Sequence, residues 1–197
     1  MLILTLAQAI AKMKMARAAR VRPAIDKKVL ASWNGMMIGA LERAGSVLVE
    51  KRYSDAAGRA HDFIRKNMWD GKRLAHRWHT DSIDYTPQAE SYLLMLQATR
   101  RRYELTLDPE VLDFAISLAE ASKVLFYDEK NGGFFESAVA DDVMVRLKGS
   151  HDGAMPTASS IASMEYFKLA GITGRKDFKE VALRTIKAHG EVIKKTP

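Results

Sequence analysis

The feature that most limits the fold of this chain is the recurrence of one unit: a long polar loop, a helix, a tight turn and a second helix. Apolar residues return with helical period along almost the whole sequence, and strand-like alternation is nearly absent. The loop-led helices begin near Trp33, near Gln88 and after Pro156, so a helix pair returns roughly every 60 residues, longer than a tetratricopeptide or HEAT repeat. This spacing suits an all-α, partial (α/α) toroid, in which inner helices ring an axis and outer helices back them.

Local signals set the boundaries. The first helix is predicted from Leu2 to Arg20, because the residue before Pro23 is pushed out of the α region. A second follows a Ser32 cap and covers Trp33 to Lys51, with Met37, Leu41, Ala44 and Leu48 on its inward face. A third runs from Ser54 to Trp69 and stops at the Asp70-Gly71 turn. The fourth carries Tyr92, Leu93, Leu96 and Tyr103, and the fifth opens with Asp108 as N-cap and Pro109 in its first turn. Asn131-Gly132-Gly133 between apolar residues predicts a short β-hairpin near 131–146. The sixth helix follows Pro156 and ends at Gly171, and the seventh covers Lys176 to Lys194.

Composition narrows the function classes. With 197 residues, 47% hydrophobic and 28% charged, the chain reads as one globular domain over 1–197. No apolar run reaches the roughly 18 residues of a membrane span, so no membrane partner is expected. The absence of cysteine excludes disulfides, thiolate metal sites and a cysteine nucleophile, and fits a cytoplasmic protein. The net charge of +7 gathers early, where Lys12, Lys14, Arg17, Arg20, Arg22, Lys27 and Lys28 face only Asp26. At helical spacing these read as the wet face of an amphipathic helix, and Arg100-Arg101-Arg102 as another. Nucleic acid is not an expected partner, since the aromatic pattern of an RNA-binding sheet is missing. Met13, Met15, Met36, Met37 and Met95 read as core filler, and His61 and His189 as surface or half-buried residues of outer helices.

Several motifs carry a resemblance. Arg22-Pro23 and the run Asp26 to Gly35 resemble the "RP…DDK-V-L-T-S-W-N-G" signature of the YyaL-type, spermatogenesis-associated-protein-20-like family. Gly132 to Phe135 is similar to its "GGFF" segment, Asp152 to Thr157 to its "DGATPS" segment, and Glu90-Ser91-Tyr92 to its "EDY" motif. The resemblance implies a six-hairpin glycosidase-like toroid, related in shape to N-acylglucosamine 2-epimerases. It also implies a thioredoxin-like domain in front, which this sequence lacks. About seven helices against the twelve of a full toroid lead us to expect a partial ring, with self-association or completion by another chain. Lys27, Ser91 and Ser159 depart from the family pattern of Asp, Asp and Asn.

The loops that lead into inner helices open onto one end of such a ring. They carry Asp26, Trp33 and Asn34, then His76, Trp78, His79, Asp84, Tyr85, Glu90 and Tyr92, then His151 and Asp152. Aromatic faces suit the apolar side of a pyranose, while carboxylates and histidines suit proton transfer. The sequence therefore points to a sugar-like ligand. Glu90, Asp152, Asp84 and His151 are the catalytic candidates, and Asp26, Trp33, Asn34, His76, Trp78, His79, Tyr85 and Tyr92 the binding candidates. Hydrolysis needs two carboxyls about 5–9.5 Å apart, and epimerisation needs bases on opposite faces of the sugar. A binding or interaction module without turnover is the alternative. Trp33 can equally anchor hairpin packing, Asp152-Gly153 can be a plain turn, and Gly132 to Phe135 a structural plug. His76 and His79 lack a third ligand fixed by spacing, so neither metal nor cofactor is expected.

Overall fold

A computed structural model describes residues 2–141 and 143–195. Its helices are α1 (Leu2–Ala18), α2 (Ala31–Leu48), α3 (Lys51–Asn67), α4 (Ala89–Thr106), α5 (Pro109–Phe126), α6 (Ala158–Thr173), α7 (Lys176–Ala188) and α8 (Gly190–Lys195). Strands β1 (Val29–Leu30), β2 (Arg77–His79) and β3 (Ser82–Asp84) form a small antiparallel sheet in that order. Helix α2 packs on α3 and α4, α4 on α5 and α6, and α6 on α7. This is an arc of three hairpins: α2, α4 and α6 form the inner row, and α3, α5 and α7 back it.

The central position of α4 explains its composition. Flanked by helices on three sides, it buries Ala89, Ser91 to Leu96 and Ala98 to Arg100, leaving little of the polar face that a surface helix needs. Helix α5 starts as expected, with Asp108 accepting from the Glu110 N–H at 2.9 Å and Pro109 in the first turn.

Elsewhere the structure corrects the sequence reading. Leu30, not Ser32, precedes α2, and Ser32 is buried inside the helix. The period of α2 is right but its phase is wrong. Met37 and Leu48 are both 59% exposed, while Gly35, Ile38, Gly39, Glu42 and Gly45 are buried. Close packing is the reason, since a Cβ on Gly35 would lie 2.8 Å from the backbone of Leu94 in α4. Gly171 lies within α6, and Gly174 takes the left-handed conformation (φ 71°) that ends it. The paired strands also lie elsewhere than expected. Among the described residues, 131–146 contributes single bridges, Tyr127 to Phe134 and Gln88 to Ser137, while the sheet forms at 29–30, 77–79 and 82–84; Asp142, inside the expected hairpin, lies outside the described residues. The reversal itself is present, with the Asp128 N–H donating to the Gly133 carbonyl at 2.9 Å. It carries Phe134 into the core between Tyr127 and Tyr166, and this plug is structural.

Three polar or methionine assignments also change. Every described side chain from Thr5 to Lys28 is exposed, Met13 and Met15 included, so α1 buries no apolar stripe among the described residues. His61 is fully buried, its Nε2 lying 3.2 Å from Thr99 Oγ1. Arg100 is buried too, because it pairs with Glu165 of α6 and Glu104 of its own helix.

Candidate functional site at the loop end of the inner helices

The small sheet ties the first two loops together. β1 pairs with β2, and the Ala31 N–H at the start of α2 donates to the His76 carbonyl at 3.0 Å. The His76 N–H in turn donates to the Asp84 carbonyl at 2.8 Å, and His76 Nδ1 lies 3.0 Å from Ser91 Oγ in the first turn of α4. The third loop joins through Glu136. Its carbonyl accepts from the Ala89 N–H, and its Oε1 accepts from the Gly149 and Ala158 N–H groups at 3.2 Å each. The amino ends of α2, α4 and α6 are thus bound into one hydrogen-bonded rim. Negative charge is favourable at such an end, and Glu136 supplies it at α6.

Several candidates gather on this rim. His76 and Asp84 lie at the open end of the β2–β3 hairpin, Glu90 lies in the first turn of α4, and His79 ends β2. Trp33, in the first turn of α2, is 62% exposed, so the structure gives it no packing-anchor role. Glu90 is half-buried and carries no side-chain hydrogen bond among the described residues. Asn34 Nδ2 donates to the Leu30 carbonyl at 2.8 Å. Tyr85 lies under the Arg73 guanidinium at 4.7 Å, and Trp78 meets Phe63 edge-on at 5.1 Å. Tyr92 is removed from the rim surface, being fully buried with its hydroxyl accepting from the Leu74 N–H at 2.9 Å. His151 and Asp152 are exposed on the third loop.

Three of the carboxylates are spent on their own loops. Asp84 accepts from the Thr86 N–H at 2.9 Å, and that bond holds its pKa below the usual carboxylate range. The Thr157 N–H does the same for Asp152 at 2.8 Å, and the Lys28 N–H for Asp26 at 3.1 Å. A general acid needs the opposite shift. These groups are acceptors and turn builders; the Glu90 carboxyl, the second ring nitrogen of His76, and the rings of His79 and His151 carry no hydrogen bond among the described residues.

Sequence reasoning missed Glu136, because a lone glutamate after an aromatic pair carries no spacing signal for a cap made across 22 residues. It also read Ser91 only as a lost aspartate, whereas its hydroxyl orients His76.

With this geometry in view, the comparisons with known proteins become informative. No family model matches the chain. Two curated relatives, from Rattus norvegicus and Homo sapiens, are 29% and 28% identical to it over 94% of its length. The chain is similar to spermatogenesis-associated protein 20. The resemblance read from the tryptophan block therefore extends over nearly all of the sequence, and an uncharacterized protein of Caenorhabditis elegans is 29% identical over 92% of it. The chain spans about a quarter of the length of these relatives (25% of the rat and human proteins). Among solved structures, a family 76 α-mannanase from Bacteroides thetaiotaomicron superposes with a TM-score of 0.68 at 17% identity, over 86% of this chain and 45% of that one. Cellobiose 2-epimerase from Spirochaeta thermophila gives 0.64 at 16% identity, over 81% and 42%. The three-hairpin arc has the fold of part of a six-hairpin glycosidase-like toroid. Among the described residues, no helix is long and apolar enough to cross a membrane.

Proposed function

We propose that the rim at the amino ends of α2, α4 and α6 binds a sugar-like small molecule, with Trp33 as the stacking face and Glu90 and His76 as the proton-transfer pair. One observation carries this reading. A half-buried carboxylate without a side-chain partner, Glu90, sits next to Ser91, whose hydroxyl holds His76 Nδ1 at 3.0 Å. That bond leaves the other ring nitrogen to meet a ligand. The mannanase and epimerase neighbours act on sugars at toroids of the same shape, and this supports the ligand class. Hydrolysis would need a carboxylate base or nucleophile beside Glu90, and Asp26, Asp84 and Asp152 each already accept a backbone N–H of their own loop, so an epimerase-like proton transfer agrees better with the rim. The same three carboxylates favour a second reading, a module that binds the sugar without turning it over. Exposed Met37, Met164 and Phe167 on α2 and α6 support association of the arc with a second copy of itself.

A thermal-shift screen of mono- and disaccharides tests this reading on wild type beside Trp33→Ala, Glu90→Gln and Asp152→Asn. The expected result is a sugar that raises the melting temperature of wild type and Asp152→Asn but not of Trp33→Ala. Turnover of that sugar by wild type and not by Glu90→Gln would select the enzyme over the binding module. If no sugar stabilises folded wild type, the reading fails.

A further inference from the structure

The far end of the inner row, away from the loop rim, carries a second cleft. It has a volume of about 500 Å³ on the α2–α3 side and continues between α2, α4 and α6 as a smaller recess of about 250 Å³. The smaller recess has an unusual charge balance. Arg43, Arg101 and Lys168 line it from three different inner helices, together with Glu42, Glu104 and Arg100. Both carboxylates already have a partner: Glu42 pairs with Arg102 at 2.8 Å, and Glu104 with Arg100 at 2.5 Å. Arg100 is in turn committed to Glu165 as well. Among the described residues, no carboxylate lies in ion-pair range of Arg43, Arg101 or Lys168. Arg100 offsets only one of Glu104 and Glu165, and the three further cations still leave the recess with a surplus of positive charge.

Arg101 is also held in position. One guanidinium N–H donates to the Gly39 carbonyl at 3.3 Å, across the groove between α4 and α2. Gly39 leaves the room for this, since a Cβ there would come within 3.1 Å of the same guanidinium nitrogen. The remaining N–H donors of Arg101 have no partner among the described residues. A fixed guanidinium with free donors and two flexible cations beside it matches the oxygens of a phosphate, which arginine binds through parallel charge-assisted hydrogen bonds. We propose that this recess binds the phosphate group of a small metabolite. The site is separate from the sugar rim and does not rest on that reading.

The test is a titration with inorganic phosphate at constant ionic strength, followed by ¹⁵N-resolved chemical shifts of the full chain. Wild type is compared with Arg101→Met, Lys168→Met and a charge-matched control, Lys12→Met on exposed α1. Lys168 is exposed, so its replacement leaves the fold intact. We expect saturable shifts on the α2, α4 and α6 residues around the recess. Affinity should fall about tenfold in each recess variant, equal to about 1.4 kcal/mol, and stay unchanged in the control. Three outcomes overturn the proposal: no saturation in wild type, equal weakening in the α1 control, or unchanged binding in Arg101→Met and Lys168→Met. The last would mean that these cations only offset the carboxyl-end dipoles of the helices.

Discussion

Arg100 of α4 and Glu165 of α6 form a buried ion pair that ties two adjacent inner helices together, with the two side chains 1% and 0% exposed. Gln97 adds a bond to Glu165 Oε1 at 3.2 Å, and Glu104 holds the other side of the guanidinium. Burial penalises the arginine charge, but the Glu165 hydrogen bond and its charge outweigh that penalty and raise the Arg100 pKa. With the Arg102–Glu42 pair between α4 and α2 at 2.8 Å, this network is one of two places among the described residues where neighbouring inner helices are joined by buried charge. Breaking one side strands the other in a low-dielectric interior. Arg100→Met alone should therefore cost about 3–5 kcal/mol in urea unfolding, whereas Arg100→Met with Glu165→Leu should recover most of that loss. Equal stability of the single and double variants would show that the pair is not coupled.

His61 gives the fold a pH dependence. Burial foremost, then the charge of Arg102, lower its pKa from 6.5 to about 4, and Asp62 at 3.5 Å only partly opposes them. Its ring packs edge-on against Phe114 at 5.7 Å, with Thr99 on Nε2 and Arg65 adding a further positive charge nearby. Between those two values the unfolded chain takes up a proton that the folded chain refuses. The contribution is present in full above pH 6.5 and is lost as pH falls toward 4, by about 3 kcal/mol at most. Urea midpoints measured from pH 7.5 down to 4 should decline in wild type, and the decline should be shallower in His61→Gln.

Two glycines should respond in opposite directions. A Cβ at Gly35 meets the backbone of Leu94 and Met95 at 2.8–2.9 Å, and neither can give way, so Gly35→Ala should destabilise by about 2–3 kcal/mol. Gly171 lies inside α6 with nothing within 4 Å of a Cβ. Gly171→Ala should stabilise by about 0.5–1 kcal/mol through helix propensity. Thermal melts of the two variants beside wild type check both signs.

The hairpin arc was legible in the sequence because loop, helix, turn and helix repeat with a period that nothing else explains, and because Asp108-Pro109 marks one boundary by local chemistry alone. The phase of α2 was not legible. A glycine stripe carries no hydrophobic signal, so Met37 and Leu48 were assigned to the face that Gly35, Gly39 and Gly45 occupy. Arg100 was read as a surface residue and His61 as surface or half-buried for a related reason: their partners, Glu165 and Thr99, lie 65 and 38 residues away. At the rim, the residues in β2 and at the starts of α2 and α4 were found from loop placement. Tyr92 was misassigned because one residue's shift along a helix turns a side chain from the rim into the core, and Glu136 was missed because its cap is tertiary.

A sugar received at the rim around Trp33 and Glu90 would be reported by the indole N–H signals of the three tryptophans. Cellobiose and an α-mannan oligosaccharide, the sugars that the names of the two structural neighbours point to, are titrated into wild type with Trp33→Phe as the assignment control. The account predicts a saturable shift of the Trp33 signal, while Trp69, packed edge-on against Phe114 at 5.6 Å, stays unmoved. A Trp33 signal that stays fixed with both sugars, or all three signals moving together, would contradict it.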